Sequence, residues 1–123
     1  MEELLPVFVY GTLRRGMGND TLFSPYDVEV EDDSVKGTLY VHGLPYLAED
    51  GEFEVKGDLV WIPHHQYEEC MRDLDSLEGH PTFYTRRTVE TKSGVTAWVY
   101  YYDHWLNDNF IVESGDFVLE VSK

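Results

Sequence analysis

The first apolar run, PVFVY at 6–10, stops at a Gly and gives way to TLRRGMGND (12–20), a small-residue loop carrying two cations. Residues 6–10 are predicted as a strand, and Thr21 to Tyr26 as a short helical or irregular piece. The stretch DVEVEDD (27–33) reads as an exposed acidic connection. Residues 34–42 (SVKGTLYVH) and 54–62 (EVKGDLVWI) mix β-branched and aromatic side chains, each around an internal Gly. A strand Gly marks a bulge or bend, so both predict strands of a sheet that curls. Segments 83–92 and 95–103 predict a hairpin turning at Lys92-Ser93-Gly94, and 117–121 a last strand after Ser114-Gly115-Asp116.

One segment changes period. In HHQYEECMRDLDSLEG (64–79), Tyr67, Cys70, Met71, Leu74 and Leu77 recur at i, i+3, i+4 and i+7, the spacing of a helix core face. Pro63 precedes it, and Gly79 supplies a left-handed cap. With each residue turning about 100°, this apolar set spans roughly −80° to +40° around Tyr67, and Glu78 falls near +20°, inside it. Asp75 lies near +80°, at the edge. A carboxylate thus stands where the period asks for an apolar side chain, and buried carboxylates are costly unless paired or functional. Two structural alternatives stay open: Glu78 turns to solvent in a fraying last turn, or it pairs with Arg86 or Arg87. If it is desolvated instead, the helix dipole and Asp75 act with burial to favour its neutral form, as suits a general base.

Strands outnumber helices and hairpins are present, which predicts an α+β fold over a doubly wound parallel sheet. The 123 residues, 42% of them hydrophobic, suffice for one domain spanning 1–123 with its own core. Composition then narrows the partners. A net charge of −15 repels phosphate backbones and argues against nucleic acid. No apolar run approaches the ~18 residues of a spanning helix, and the first run is short and follows two Glu, so neither membrane insertion nor a signal peptide is expected. The single Cys cannot close an internal disulfide and fits a reducing cytoplasm. Nine Tyr, six Phe and three Trp leave rings to line a small-molecule pocket.

Competing chemistries lack their patterns. The five His have no metal-ligand spacing, Cys70 falls on the apolar face, and the loop at 11–16 lacks the Lys-Ser/Thr ending of a phosphate-binding loop. No metal and no cofactor is implied. By strand alternation Trp98, Tyr100 and Tyr102 share one face and Tyr101 takes the other; a core role is the simpler reading of that stripe. Arg14 and Arg15 read either as attractors of an anionic substrate or as exposed cations.

Four segments together resemble the γ-glutamylcyclotransferase-like (AIG2-like) family: VFVYGTLRRG at 7–16, LDSLEGHPTFYTRR at 74–87, AWVYYY at 97–102 and ESGDF at 113–117. The likeness extends over nearly the whole chain and is nearest to small single-domain members similar to γ-glutamylamine cyclotransferase. It implies a small mixed β-barrel with helices packed outside, and an enzyme that cyclises a γ-glutamyl group to 5-oxoproline. By the same resemblance Glu78 falls on the catalytic acid/base, Tyr10, Gly11, Thr12 and Leu13 on the substrate-binding loop, and Tyr84 and Arg86 on positions near the pocket. The implied partner is a small γ-glutamyl compound. A non-catalytic module of the same fold, binding a small amino-acid-like ligand, is the alternative.

Overall fold

The computed structural model describes residues 4–122. Its strands are β1 (Val7–Val9), β2 (Glu29–His42), β3 (Leu44–Trp61), β4 (Thr85–Glu90) and β5 (Thr96–Tyr101), with helices α1 (Tyr67–Glu78) and α2 (Phe117–Val121). They build one five-stranded sheet in the order β2-β3-β1-β5-β4. Pairing is antiparallel except between β1 and β5, which run parallel with Val7 opposite Trp98. The central strand is therefore the one that ends in the 11–16 loop.

Alternation along the strands sorts the core into two layers. Val7, Val9, Val60 and Tyr100 pack with Cys70, Met71 and Leu74 of α1, while Phe8, Tyr10, Leu59, Val99 and Tyr101 face the other way, with Phe117 of α2. The predicted split between Tyr101 and the Trp98–Tyr100–Tyr102 stripe holds. Gly79 ends α1 at φ 64°, ψ 33°, a left-handed conformation in which its N–H and that of His80 reach the last carbonyls.

The fold is mixed α+β and barrel-like but not fully closed. Edge strands β2 and β4 share no ladder; Lys92 N–H donates to the Ser34 carbonyl (2.9 Å) and Ser93 Oγ to Asp33 (2.6 Å), joining the edges at one corner. No helix among the described residues is long and apolar enough to cross a membrane.

Several expectations need correction. Residues 117–121 are helical, because Asp116 caps them by accepting a hydrogen bond from Leu119 N–H, and so short a mostly apolar run, FVLEV, reads equally as strand or helix turn. Most of the acidic stretch 27–33 is strand, the exposed first part of β2, where Val30, like Val28 just before the strand, packs inward between carboxylates. β3 starts ten residues before the predicted 54, since residues 49–52 loop out between Gly37–Phe53 and Thr38–Ala48 pairings and look like a turn in sequence. The register shift falls at Gly37, as its position suggested. Leu77, assigned to the core face, is 47% exposed.

Candidate functional site

β1 delivers the chain to a cavity of about 210 Å³ at its C-terminal end. Tyr10, Gly11, Thr12 and Leu13 form one wall, the end of α1 with Leu77 and Glu78 another, and Tyr84 and Tyr100 line it as well. The hairpin tip between β2 and β3 overhangs it through Leu44 and Pro45. A Cβ on Gly11 would overlap the Pro45 ring, so the close seating of hairpin on loop requires Gly there.

The loop is fixed from within. Arg14 N–H donates to the Gly11 carbonyl (3.0 Å) and Asn19 N–H to the Thr12 carbonyl (3.0 Å), while Asn19 Nδ2 donates to Thr12 Oγ1 (2.8 Å). These bonds use two of the loop's carbonyls and the Thr12 hydroxyl as acceptors. The N–H groups of Gly11, Thr12 and Leu13 donate to no acceptor among the described residues, leaving a run of successive backbone donors of the kind that holds anions and oxyanions.

Glu78 is half-buried, and its carboxyl takes part in no hydrogen bond or ion pair among the described residues. Burial pushes its carboxyl up to about 7. The three tyrosine hydroxyls of the cavity are all raised, by burial first, so they stay neutral. Two of them donate to carbonyls, Tyr10 to Tyr100 and Tyr84 to Pro45, each at 2.6 Å. Tyr100 donates to Asp75 Oδ1 at 2.7 Å. None of the three donates its proton to Glu78. Among the described residues, no Lys, Arg or His lines the cavity.

Both structural alternatives for Glu78 are thereby disposed of. Its last turn is capped rather than frayed, and the two arginines are engaged elsewhere: Arg86 with Asp75 (3.0 Å), Arg87 with Asp103 (2.7 Å) and Glu49 (3.2 Å). Burial is the cause of the Glu78 shift, and Asp75, the neighbour expected to add to it, is paired with Arg86.

The resemblance placed Arg86 near the pocket, and the structure sets it outside the lining. It lies in a neighbouring groove with His64, Tyr67 and Trp98, its guanidinium 4.4 Å from the Trp98 ring. Arg14 and Arg15 are committed too, to Asp116 (2.8 Å) and Asp58 (3.0 Å). Of the aromatic stripe, only Tyr100 reaches the cavity. Sequence reasoning missed Asn19, Leu44, Pro45 and Phe83. A Pro directly after a strand-turn Gly-Leu was the one available signal, and nothing local tied it to Gly11.

The chain belongs to the γ-glutamyl cyclotransferase, AIG2-like family, whose profile matches residues 7–119. It is similar to the "Putative gamma-glutamylcyclotransferase" of Vibrio cholerae, at 35% identity over 94% of this chain and 96% of that protein. A protein of the same description from Methanocaldococcus jannaschii is 31% identical over 90% of this chain and 93% of its own. Among solved structures, an uncharacterized protein from Pyrococcus horikoshii superposes with a TM-score of 0.76 over 96% of this chain and 94% of that one, at 24% identity. That last likeness shows the fold alone.

Proposed function

We propose that this chain is a γ-glutamyl cyclotransferase-type enzyme that closes a γ-glutamyl group to 5-oxoproline, releasing the attached amine or amino acid, with Glu78 as general acid/base. One observation carries the reading. A carboxyl held near neutrality by burial, with no cation beside it, borders the same small cavity as a run of backbone N–H groups without protein acceptors.

The substrate brings its own nucleophile, its α-amine, so the chemistry needs neither Ser nor Cys. Glu78 carboxylate takes a proton from the α-ammonium. The freed nitrogen attacks the γ-carbonyl carbon, and the loop N–H groups of residues 11–13 stabilise the oxyanion that forms. Collapse breaks the bond to the leaving nitrogen while Glu78 returns the proton to it; the second proton, shed by the ring nitrogen, passes by the same carboxylate to the departing amine, which leaves as an ammonium, so Glu78 ends as it began. A group titrating near 7 is matched to both transfers at neutral pH. Holding the glutamyl chain folded towards a five-membered ring supplies the proximity term. No step requires a cofactor.

Cavity size supports a division of the substrate between the cavity and its mouth. About 210 Å³ is less than the roughly 300–1,000 Å³ of sites that enclose drug-sized ligands. It takes the glutamyl portion, and the amine portion rests at the mouth, where Leu44, Leu77 and Phe83 are 46%, 47% and 40% exposed.

Incubation with a panel of γ-glutamyl amines and γ-glutamyl dipeptides tests the reading. The expected result is 5-oxoproline released in equal amount with free amine from at least one compound. Saturable binding across the panel with no 5-oxoproline would overturn the enzymatic reading in favour of a ligand-binding module.

A further inference from the structure

Behind the cavity, one turn before Glu78, Asp75 accepts three hydrogen bonds from side chains. Arg86 approaches it with both arms of its fork, Nε to Oδ1 at 3.0 Å and an Nη to Oδ2 at 3.1 Å, and Tyr100 hydroxyl donates to Oδ1 at 2.7 Å. Arg86 is in turn held on its other sides: its guanidinium lies over Trp98, and its backbone N–H donates to His80 Nδ1 at 3.1 Å. Asp75 and Arg86 are both largely withdrawn from solvent, with side chains 26% and 21% exposed. Tyr100 belongs to both sides, since its ring lines the cavity and its hydroxyl reaches Asp75.

We propose that Arg86 is a positioning residue: through Asp75 and Tyr100 it clamps the last turn of α1 over the cavity and keeps the charge of Asp75 from acting on Glu78. The proposal rests on the reading of Glu78 given above. Residues three apart on a helix are neighbours, so an uncompensated Asp75 would face Glu78 as a like charge at the negative end of the same helix. The bidentate pair is neutral as a unit and removes that field. The other titratable groups facing Glu78 are Tyr10 from the end of β1, Tyr84 before β4 and Tyr100 of β5, all neutral in the working range. With that pair in place, burial is what sets the acidity of Glu78. Substrate contact by Arg86 is disfavoured by the same geometry, because its fork is filled by Asp75 and its flat face by Trp98.

The test follows Glu78 directly, by carbon-detected NMR of side-chain carboxyls in glutamate-labelled protein, with Glu78→Gln as the blank that assigns the resonance. Turnover against pH is recorded on the same variants. Arg86→Met is expected to move the Glu78 titration midpoint and the acidic limb of activity upward by roughly one pH unit, the scale of a nearby like charge. Adding Asp75→Asn to Arg86→Met returns both towards wild type, and Arg86→Lys leaves them close to it. Should Arg86→Met fail to fold, Asp75→Asn alone decides: it leaves Arg86 as a bare cation, so the midpoint falls. A midpoint unmoved in Arg86→Met and Asp75→Asn, or an Arg86→Met defect equal at every pH and not restored by Asp75→Asn, overturns the proposal. If wild type turns over no γ-glutamyl compound while the midpoints shift as stated, the clamp stands and the cyclotransferase reading fails.

Discussion

Asp75 and Glu78 stand one turn apart on α1, and the two sides of the helix treat them in opposite ways. Asp75 faces the groove, where a bidentate arginine and a tyrosine hydroxyl satisfy its charge. Glu78 faces the cavity, where burial acts on it and no cation answers. Identical chemistry thus yields a structural anion on one side and a carboxyl poised near 7 on the other. The difference lies in where the cations were spent: four arginines near the site are each bound to an acid outside the cavity. In a chain of net charge −15, acids to absorb them are plentiful, and a single apolar-walled hollow without a cation is enough to create one perturbed carboxyl.

The largest expected effect separates the two acids by turnover. Glu78→Gln is nearly isosteric but cannot carry the proton, and it should lower kcat by at least ~10²-fold with KM little changed. Asp75→Asn, which touches the reaction only through its neighbour, should lose less than about tenfold at its own best pH. Steady-state kinetics across pH 5 to 9 measures both. Equal losses in the two variants would erase the distinction between the two sides of the helix.

Stability gives the next effect, of opposite sign for the two residues. In the unfolded chain the Glu78 carboxyl takes its ordinary value of 4.5, and in the fold it sits at about 7. Between those values the folded protein holds a proton that the unfolded one has released, so stability falls as pH rises through that window and levels off above it. Glu78→Gln should therefore be more stable than wild type by about 3 kcal/mol at pH 8 and no more stable at pH 4. Asp75→Asn strips the partner from a mostly buried arginine and should be less stable at pH 8 by about 1–3 kcal/mol. Denaturant midpoints of the three proteins at the two pH values check this. A Glu78→Gln variant destabilised at pH 8 would make Glu78 a second paired anion.

The same pair marks how far the sequence could be read. Helical phase alone singled out Glu78, because a carboxylate inside an apolar arc breaks a strong local pattern, and Gly79 fixed where the helix stops. Phase could not separate the roles of Asp75 and Arg86, since their pairing joins α1 to β4 across a connection that local spacing does not describe. The edges of the sheet were hidden for a related reason. At the start of β2 the alternation of Val28 and Val30 with acids was present, but an exposed edge carries charge on its outer face, and charge reads as loop. The hairpin tip that roofs the cavity lies beyond the looped-out residues 49–52, which imitate a turn and conceal ten residues of β3. Local order was legible; contacts made by tertiary closure, Pro45 on Gly11 above all, were not.

The smallest effect concerns Leu77, which helical phase puts on the core face beside Leu74. Leu74 is fully buried, while Leu77 is 47% exposed and borders the cavity next to Glu78. A side chain that folding covers only in part returns little on burial, so Leu77→Ala should change the denaturant midpoint by no more than about 0.5 kcal/mol. Leu74→Ala at the same helix face should cost about 2–5 kcal/mol, as cavities in packed cores do. If the amine portion of the substrate rests at the mouth, Leu77 covers it there, and its loss should raise KM while leaving kcat near wild type. Removing about 1 kcal/mol of apolar contact corresponds to roughly a fivefold rise. The rise should shrink for the smallest amines, which reach Leu77 least, so KM for methylamine and hexylamine derivatives of γ-glutamate makes the comparison. A large stability loss in Leu77→Ala, with KM unchanged for both, would return Leu77 to the core and leave the mouth of the cavity elsewhere.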